Sequence, residues 1–230
     1  MSDQFSAWQL IITGDPTLLA IVRLSLAVSL SAVGLAALAG MPLGALLALT
    51  RFLGRSALVV LLNALMGLPP VVVGLAVYLL LSRSGPLGAM GILFTPSAMV
   101  IAQTILIVPI IAALTRQTVE DLWVEYRDEL SAMDVSPAGR MMTLLWDARF
   151  SLLTALLAGF GRAAAEVGAV MIVGGNIDGF TRVMTTAVAL ETSKGNLPLA
   201  MGLGLILVVI VLAINAAAWG TRVWSERQVG

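Results

Sequence analysis

Two ionisable side chains, Arg162 and Glu166, interrupt an otherwise uncharged apolar stretch of the sequence, Ser151–Gly174. Their spacing of four residues places both side chains on one face of a helix. An ionisable group inside a lipid bilayer costs about 2.5–3.5 kcal/mol, so the two should face protein or water and neutralise each other or a partner. Two interpretations stay open: the pair lines or gates a pore, or it is an ion pair that fixes helix packing.

A second group of charges is gathered in one interval, Val119–Phe150, which no membrane segment requires. Its ionisable residues are Glu120, Asp121, Glu125, Arg127, Asp128, Glu129, Asp134, Arg140, Asp147 and Arg149. An apolar chain that concentrates its charge in one loop presents that loop to water, where it can contact another protein. The alternative is a solvated loop whose charges only keep it out of the bilayer.

The local sequence of this interval predicts two short helices joined by a tight turn. Val124–Met133 is rich in good helix formers, and the turn is predicted at Asp134. Ser136 followed by Pro137 is typical of the N-cap and the first residue of a second helix. That second helix carries an apolar face that could pack on the ends of neighbouring helices: Met141, Met142, Leu144, Leu145 and Trp146.

The composition excludes several kinds of chemistry. The 230 residues include no Cys and no His, which removes disulfides, thiolate nucleophiles, imidazole bases and the usual zinc sites. The pattern G-x-x-x-x-G-K-[ST] is absent, so nothing in the sequence can cradle the phosphates of ATP. A net charge of zero gives no indication of nucleic-acid binding. We therefore predict no enzymatic activity, no cofactor and no metal site.

Hydrophobic residues make up 59% of the chain and charged residues 11%, whereas soluble domains have about 45–50% and about 25%. We predict an all-α integral membrane protein with five transmembrane helices, each of which needs about 20 apolar residues. The predicted spans are Leu24–Thr50 (beginning near Leu18), Ser56–Ser82, Ala98–Leu114, Ser151–Gly174 and Gly195–Thr221.

The distribution of Arg and Lys predicts the orientation of these spans. With five spans, one set of connections holds eight basic residues, and the other holds three, Arg83, Arg182 and Lys194. The side with the excess of positive charge is the cytoplasmic one. The N-terminus is then outside, the C-terminus is inside, and the interval Val119–Phe150 faces the cytosol.

Paired prolines, Pro69 and Pro70, lie inside the second predicted span and should bend or break it, because proline removes a backbone hydrogen bond and clashes with the preceding turn. Broken helices at membrane depth are tolerated where they are buried in protein or line a cavity. The break is either a pore or gate element or a static kink. Gly40 and Gly44 form a small-residue pair that permits close helix contact.

The charged interval resembles the coupling loop, also called the EAA loop, of ABC-importer permeases. That pattern has an acidic residue, two small residues, three of any type, a glycine and later a Leu-Pro pair. Asp128 falls at the acidic position and Asp134 at the glycine. The sequence departs from the pattern at Glu129, Leu130, Trp146 and Asp147. Asp tolerates the left-handed backbone conformation that glycine would supply, so the turn could survive.

Two downstream strings resemble the permeases of tungstate importers: Ala158–Ile177, and Thr181–Thr186 followed by Leu190–Gly195. Molybdate and sulfate permeases share the general arrangement but are less similar to these strings. The resemblance covers essentially the whole chain after the first few residues. It implies a type I ABC importer permease: one transmembrane domain over residues 1–230 with a cytoplasmic coupling loop over residues 119–150, in the cytoplasmic (inner) membrane of a prokaryote.

The resemblance also implies partners and residue roles. The partners are a second copy of the chain, cytosolic ABC ATPase subunits and an extracytoplasmic binding protein that delivers an oxyanion, tungstate in the first place. The residues that it implies for ATPase coupling are Asp128, Glu129, Ser131, Asp134, Pro137 and Arg140. From the residues themselves we predict a pore or gate at Pro69, Pro70, Arg162, Glu166 and Asn176, and binding-protein docking at Arg182, Thr185 and Thr186.

Several alternatives stay open within and beyond this resemblance. The oxyanion is alternatively molybdate or sulfate, and Arg182 either docks the delivery protein or ligates the anion. Glu166 is expected to pair with Arg162 and not to bind substrate, because a bare carboxylate repels a dianion. A different class is a proton-coupled secondary transporter with Glu166 as its proton site, although such carriers usually have repeated halves. A membrane scaffold without a transport role is a further alternative.

Overall fold

Helices make up most of the structure, a computed structural model that describes the backbone of residues 16–229 and the side chains of residues 16–220. We number them α1 (Pro16–Leu49), α2 (Arg55–Met66), α3 (Pro70–Leu81), α4 (Pro96–Ala132), α5 (Pro137–Asp147), α6 (Arg149–Ala164), α7 (Gly168–Gly174), α8 (Met184–Ser193) and α9 (Leu197–Val229). A 3-10 turn occupies Gly88–Met90, and the described residues contain no strand. The predicted all-α class is confirmed.

Three of the described helices are long and apolar enough to cross a bilayer: α1, α4 and the Leu197–Gly220 part of α9. Up to five spans result if two broken pairs, α2 with α3 and α5 with α6, each count as one. Large apolar side chains such as Leu38 and Leu212 are exposed on α1 and α9, as expected for helices that face lipid. The five predicted spans thus equal the upper end of this range, while the predicted outer position of the N-terminus falls on residues outside the described ones.

The fourth predicted span, Ser151–Gly174, is wrong as one continuous helix. The chain leaves the helical path after Ala164 and begins α7 at Gly168. The Glu166 carboxylate accepts a hydrogen bond from the Ala169 backbone N–H at 3.0 Å, which satisfies one of the free donors at the start of α7. Gly168 admits a close neighbour, because a Cβ there would lie 2.8 Å from the Val71 side chain.

The described residues group into two compact units. One lies within Met1–Ala32, Pro69–Gln103 and Gly161–Gly230, and the other within Val33–Leu68 and Thr104–Phe160. The helices α1, α4 and α6 each contribute residues to both units. The predicted single permease domain over residues 1–230 stays a prediction.

In the first unit, α3 packs against α7 and α8 packs against α9. The contact between α3 and α7 is close because Gly74 has no side chain: a Cβ there would lie 2.7 Å from the Ala169 Cα. On the other side of α7, a Cβ at Gly174 would lie 2.9 Å from the Met99 sulfur. The short helix α7 is therefore held from two sides beside the Glu166 carboxylate.

In the second unit, the C-terminal half of α1 packs against α4 at Gly40 and Gly44, which confirms the close contact predicted for this pair. A Cβ at Gly44 would lie 2.4 Å from the Ala112 carbonyl oxygen and 2.9 Å from the Arg116 backbone nitrogen. Both neighbours are backbone atoms, so the two helices would have to separate to admit a side chain.

Replacing Gly44 with Ala is expected to destabilise the protein by about 1–3 kcal/mol, because overpacking forces a backbone shift. The matched control is Gly34→Ala on the same helix, where nothing lies within 4 Å of the added Cβ. That control should be neutral or stabilising by up to about 1 kcal/mol through helix propensity. Thermal unfolding of the purified variants in detergent measures both, and equal midpoints for the two variants would contradict the close contact.

Candidate coupling elbow and buried ion pair

The long helix α4 carries the first half of the charged interval. It runs without interruption from Pro96 to Ala132, so the predicted separate short helix over Val124–Met133 is wrong. Pro109 is the only proline inside α4, and no glycine occurs between Pro109 and Ala132 to end the helix. The residues of α4 change from apolar to charged along its length, but the helical backbone continues through this change.

The predicted turn at Asp134 is confirmed, and it closes α4 with a Schellman motif. Asp134 has a φ of 48°, in the left-handed region. The Asp134 N–H donates to the Ser131 carbonyl, and the Val135 N–H donates to the Leu130 carbonyl, each at 3.2 Å. This is the hydrogen-bond pattern in which glycine usually holds the left-handed position. Asp134 therefore fills the backbone role of the glycine in the EAA pattern.

The predicted start of the second helix is confirmed at both residues. Ser136 is the N-cap of α5, and its Oγ accepts a hydrogen bond from the Gly139 N–H at 3.2 Å. Pro137 occupies the first helical position, where its missing N–H costs nothing. We call residues 128–137, which join α4 to α5, the elbow.

A buried apolar cluster supports the elbow from behind. Its buried members are Ala45, Ala48, Val119, Leu130 and Leu144, with Met141 and Leu145 packed against them. The prediction that the apolar face of α5 packs on neighbouring helices is therefore confirmed for Leu144, Met141 and Leu145. It is wrong for Met142 and Trp146, which are exposed. A loop held by a fully buried leucine has a fixed shape, unlike a freely solvated segment.

Five of the six predicted coupling residues lie on the exposed side of the elbow: Asp128, Glu129, Ser131, Asp134 and Pro137. The Asp128 side chain is 89% exposed, and Met133 adds an apolar side chain to the same surface. Arg140 behaves differently, because its Nε donates to the Val135 carbonyl at 2.8 Å and its guanidinium lies 5.7 Å from the centre of the Trp123 ring. Arg140 braces the elbow from within the unit.

The predicted pairing of Arg162 with Glu166 is present, although the two residues do not share one helix. The Arg162 Nη1 of α6 donates to the Glu166 Oε2 at 2.6 Å, and Glu166 lies in the break between α6 and α7. The Glu166 side chain is 2% exposed, whereas that of Arg162 is 28% exposed. One end of the ion pair is thus fully buried and the other reaches the surface.

Glu166 connects three helices. Its carboxylate holds Arg162 of α6 and the Ala169 N–H of α7, and its backbone carbonyl accepts a hydrogen bond from the Thr185 hydroxyl of α8 at 2.8 Å. Both carboxylate oxygens accept hydrogen bonds from donors that the fold holds in place. The carboxylate is therefore a structural junction as well as one half of an ion pair.

The paired prolines lie beside this junction. Pro69 is the N-cap of α3 and Pro70 is its first residue, so the predicted break in the second span is confirmed. The next residue, Val71, packs against Gly168, two positions after Glu166. The structure thus brings four of the predicted pore or gate residues into one neighbourhood, while their gating role stays a prediction.

Asn176, the fifth predicted pore residue, lies after α7 in a left-handed conformation with a φ of 50°. Its side-chain N–H approaches the Thr186 carbonyl at 3.5 Å, and its Oδ1 is buried without a hydrogen-bond partner in the described structure. Asn176 therefore contacts α8, and its role in a pore stays a prediction.

The three predicted docking residues make contacts inside the chain. Arg182 is 20% exposed and its Nη1 lies 2.7 Å from an Asp178 carboxylate oxygen. The Thr185 hydroxyl is bonded to Glu166, as described above. Thr186 is buried and its hydroxyl bonds to the backbone of Val183, so its role in docking stays a prediction. Docking through Arg182 stays a prediction.

A separate ion pair closes the turn between α8 and α9. Lys194 donates to Glu191 at 2.8 Å, and Asn196 donates to the other carboxylate oxygen at 3.1 Å. The hydrogen bond from Lys194 lowers the pKa of Glu191, and burial opposes that shift in part. This pair lies outside the candidate membrane spans.

Sequence reasoning missed two polar contacts within the first unit. The Gln103 amide donates to the Ala163 carbonyl at 3.1 Å, next to Arg162, and the Ser25 hydroxyl accepts from the Met184 N–H at 2.7 Å. The contact of Gln103 could have been predicted, since Gln103 is the single amide inside the apolar part of the third span and needs a hydrogen-bond partner there. The contact of Ser25 could not, because small hydroxyl residues are common in apolar helices.

Comparison of the sequence with those of known proteins places the chain in a family. A probable anion ABC transporter permease protein of Haloferax volcanii is 42% identical over 204 residues, covering 86% of this chain and 88% of the relative. The tungstate uptake system permease protein TupB of Peptoclostridium acidaminophilum is 38% identical, covering 94% of this chain and 95% of the relative. The sulfate transport system permease protein CysW of a Synechocystis species is 27% identical over 86% of this chain. No family model matches the sequence.

The chain belongs to the family of ABC transporter permeases for anions, and it is a multi-pass protein of the cytoplasmic membrane. Within that family it is similar over nearly its whole length to a tungstate uptake permease. A second TupB, from Campylobacter jejuni, is 40% identical over 64% of this chain.

Proposed function

We propose that this chain is the membrane-spanning subunit of an ATP-driven tungstate importer. The observation that carries the proposal is the 38% identity to a tungstate uptake permease over 94% of the chain. The more distant sulfate and molybdenum permeases are 26–27% identical. In the proposed assembly, two copies form the pore, cytosolic ATPase subunits bind at the elbow, and an extracytoplasmic binding protein supplies the anion.

The elbow supports the proposed coupling role in three ways. It exposes acidic side chains together with Met133, it is fixed by a buried cluster, and it ends a helix that also forms a candidate membrane span. A partner that pushes on the elbow therefore pushes directly on a span. Because the sequence lacks a phosphate-binding loop, the energy has to come from such a partner.

The contacts of Glu166 favour this function over a proton-coupled carrier. A proton site has to exchange protons with water, yet this carboxylate is buried and accepts hydrogen bonds from Arg162 and from the Ala169 N–H. In the importer, the same contacts make Glu166 a fixed joint between helices that can move together.

Uptake of tungstate by cells that lack their own importer tests the proposal. We expect uptake when this chain, its ATPase and its binding protein are produced together, and none when any one is omitted. Depleting ATP should stop uptake, whereas a protonophore at constant ATP should leave it unchanged. Uptake that stops with the protonophore while ATP stays high would contradict the importer and favour the carrier. Competition by molybdate and sulfate ranks the three anions.

A further inference from the structure

A cluster of three charged residues joins three helices of the second unit, and none of the three has a role in the proposed function. Glu120 of α4 accepts hydrogen bonds from Arg55, the first residue of α2, through one carboxylate oxygen, and from Arg116 through the other. Arg55 also donates from its Nε to the Leu47 carbonyl at 2.7 Å, near the C-terminal end of α1. All three charged side chains are between 18% and 30% exposed.

The helix α2 has few other attachments. Among its described side chains Leu62 alone is buried, in a small cluster with Leu47 and Ala112. Most of the remaining apolar side chains of α2 are exposed, including Leu58, Val60 and Leu61. The start of α2 is consequently held by the Arg55 contacts, and its middle by a single leucine.

The same glutamate stands on the helix that ends in the elbow. Glu120 precedes Asp128 by eight residues on the uninterrupted helix α4, a distance of about 12 Å at the helical rise of 1.5 Å per residue. A displacement of the elbow therefore reaches Glu120 through a continuous hydrogen-bonded backbone. From Glu120 it can pass to α2 through Arg55.

We propose that Glu120 is a positioning residue of the transport cycle, which fixes α2 to α4 through Arg55 and Arg116 so that α2 follows the movement of the elbow. The inference rests on the proposed function, since it assumes that a partner moves the elbow. Arg116 keeps Glu120 in place from one turn earlier on the same helix, and Arg55 connects it to α2 and to the end of α1. Each arginine donates to a different oxygen of the Glu120 carboxylate, so the two contacts do not compete for one acceptor.

The test compares three forms of the complete transporter: the parent, Glu120→Gln, and Asp121→Asn as the matched control. Asp121 is the next residue on α4 and is exposed, so its replacement removes an equal charge without touching the cluster. Residues that carry coupling change it by the equivalent of roughly 2- to 30-fold, and we expect Glu120→Gln to lower tungstate uptake per ATP hydrolysed about fivefold. Asp121→Asn should equal the parent.

A double replacement separates positioning from simple stability. Glu120→Arg combined with Arg55→Glu again places one glutamate between two arginines, with the glutamate on α2, and should recover part of the lost uptake. Neither Glu120→Arg alone nor Arg55→Glu alone should recover uptake. Uptake by Glu120→Gln equal to that of the parent would overturn the inference and leave the tungstate importer intact. A parent that takes up no tungstate would instead overturn the proposed function.

A distance measurement tests the movement itself. The chain has no Cys, so spin labels can be attached to cysteines placed at the exposed positions Leu61 of α2 and Gln117 of α4. In the parent transporter, the distance between labels should be the same with and without trapped nucleotide. In Glu120→Gln the distribution should broaden or shift between the two states. A distance that changes with nucleotide in the parent would overturn the inference.

Discussion

Glu166→Ala is expected to destabilise the protein by about 3 kcal/mol and to abolish tungstate uptake, because removing one partner of a buried ion pair leaves the other charge uncompensated. The replacement also removes the acceptor for the Ala169 N–H, which leaves a free donor at the start of α7. Arg162 is 28% exposed and can recover some hydration, which sets the estimate at the lower end of the range for buried pairs.

Two further variants show whether the charge or the hydrogen bond matters more. Glu166→Gln keeps an oxygen that can accept from Ala169 but loses the charge opposite Arg162, so its loss of stability should be intermediate. Lys194→Gln removes the exposed charge of the pair with Glu191 and should cost no more than about 1 kcal/mol. Unfolding of purified protein in mixed detergents measures all three. An alanine variant as stable as the Lys194→Gln protein would contradict the role of Glu166 as a junction.

Replacing Asp128, Glu129 and Asp134 together by Asn, Gln and Asn is expected to weaken binding of the ATPase at least about a hundredfold, since the loss of even one well-paired interfacial charge costs roughly 2–5 kcal/mol. The three carboxylates are exposed on the elbow, so their loss leaves the buried cluster behind it intact. Asn tolerates the left-handed backbone of position 134 as well as Asp does, and the turn is kept. Co-purification and binding kinetics with the purified ATPase measure the effect.

Variants at position 134 separate the shape of the elbow from its charge. Asp134→Gly suits the left-handed φ of 48° and should lose only the contribution of one charge. Asp134→Val is strained in that conformation and should weaken binding further, because it disturbs the whole turn. Asp147→Asn, which removes an exposed charge at the other end of α5, serves as the control. Equal binding by the glycine and valine variants would show that the turn does not position the contact.

Local features of the fold could be predicted from the sequence where a few neighbouring residues determine them. The turn at Asp134, the N-cap at Ser136 and the break at Pro69–Pro70 each follow from the backbone preferences of the residues involved. The pairing of Arg162 with Glu166 follows from the cost of an isolated charge in an apolar segment.

Other features depend on contacts that a single sequence does not reveal. No proline near Ala164 indicates that the helix breaks there. The break is stabilised by the Glu166 carboxylate, which accepts a hydrogen bond at the start of α7, and by Gly168, which allows Val71 to approach closely. The continuation of α4 to Ala132 could not be predicted, because the change from apolar to charged residues marks a change in the surroundings of the helix and not its end. The bond between Arg55 and Glu120 joins residues 65 positions apart, beyond the reach of any local pattern.

The unbroken helix α4 has a mechanical consequence. Its 37 residues extend for roughly 55 Å, nearly twice the thickness of the hydrocarbon core, which is about 30 Å. Pro109 lacks the N–H that would bond the preceding turn, so α4 is expected to bend most easily at this position. From Pro109 to the tip at Ala132 is roughly 35 Å, so a change of about 10° in the angle at the proline sweeps the tip through roughly 6 Å. A small change of angle at the proline thus becomes a displacement of the tip as large as the rise of one helical turn. A displacement of the tip would bend the helix at the proline in the same way.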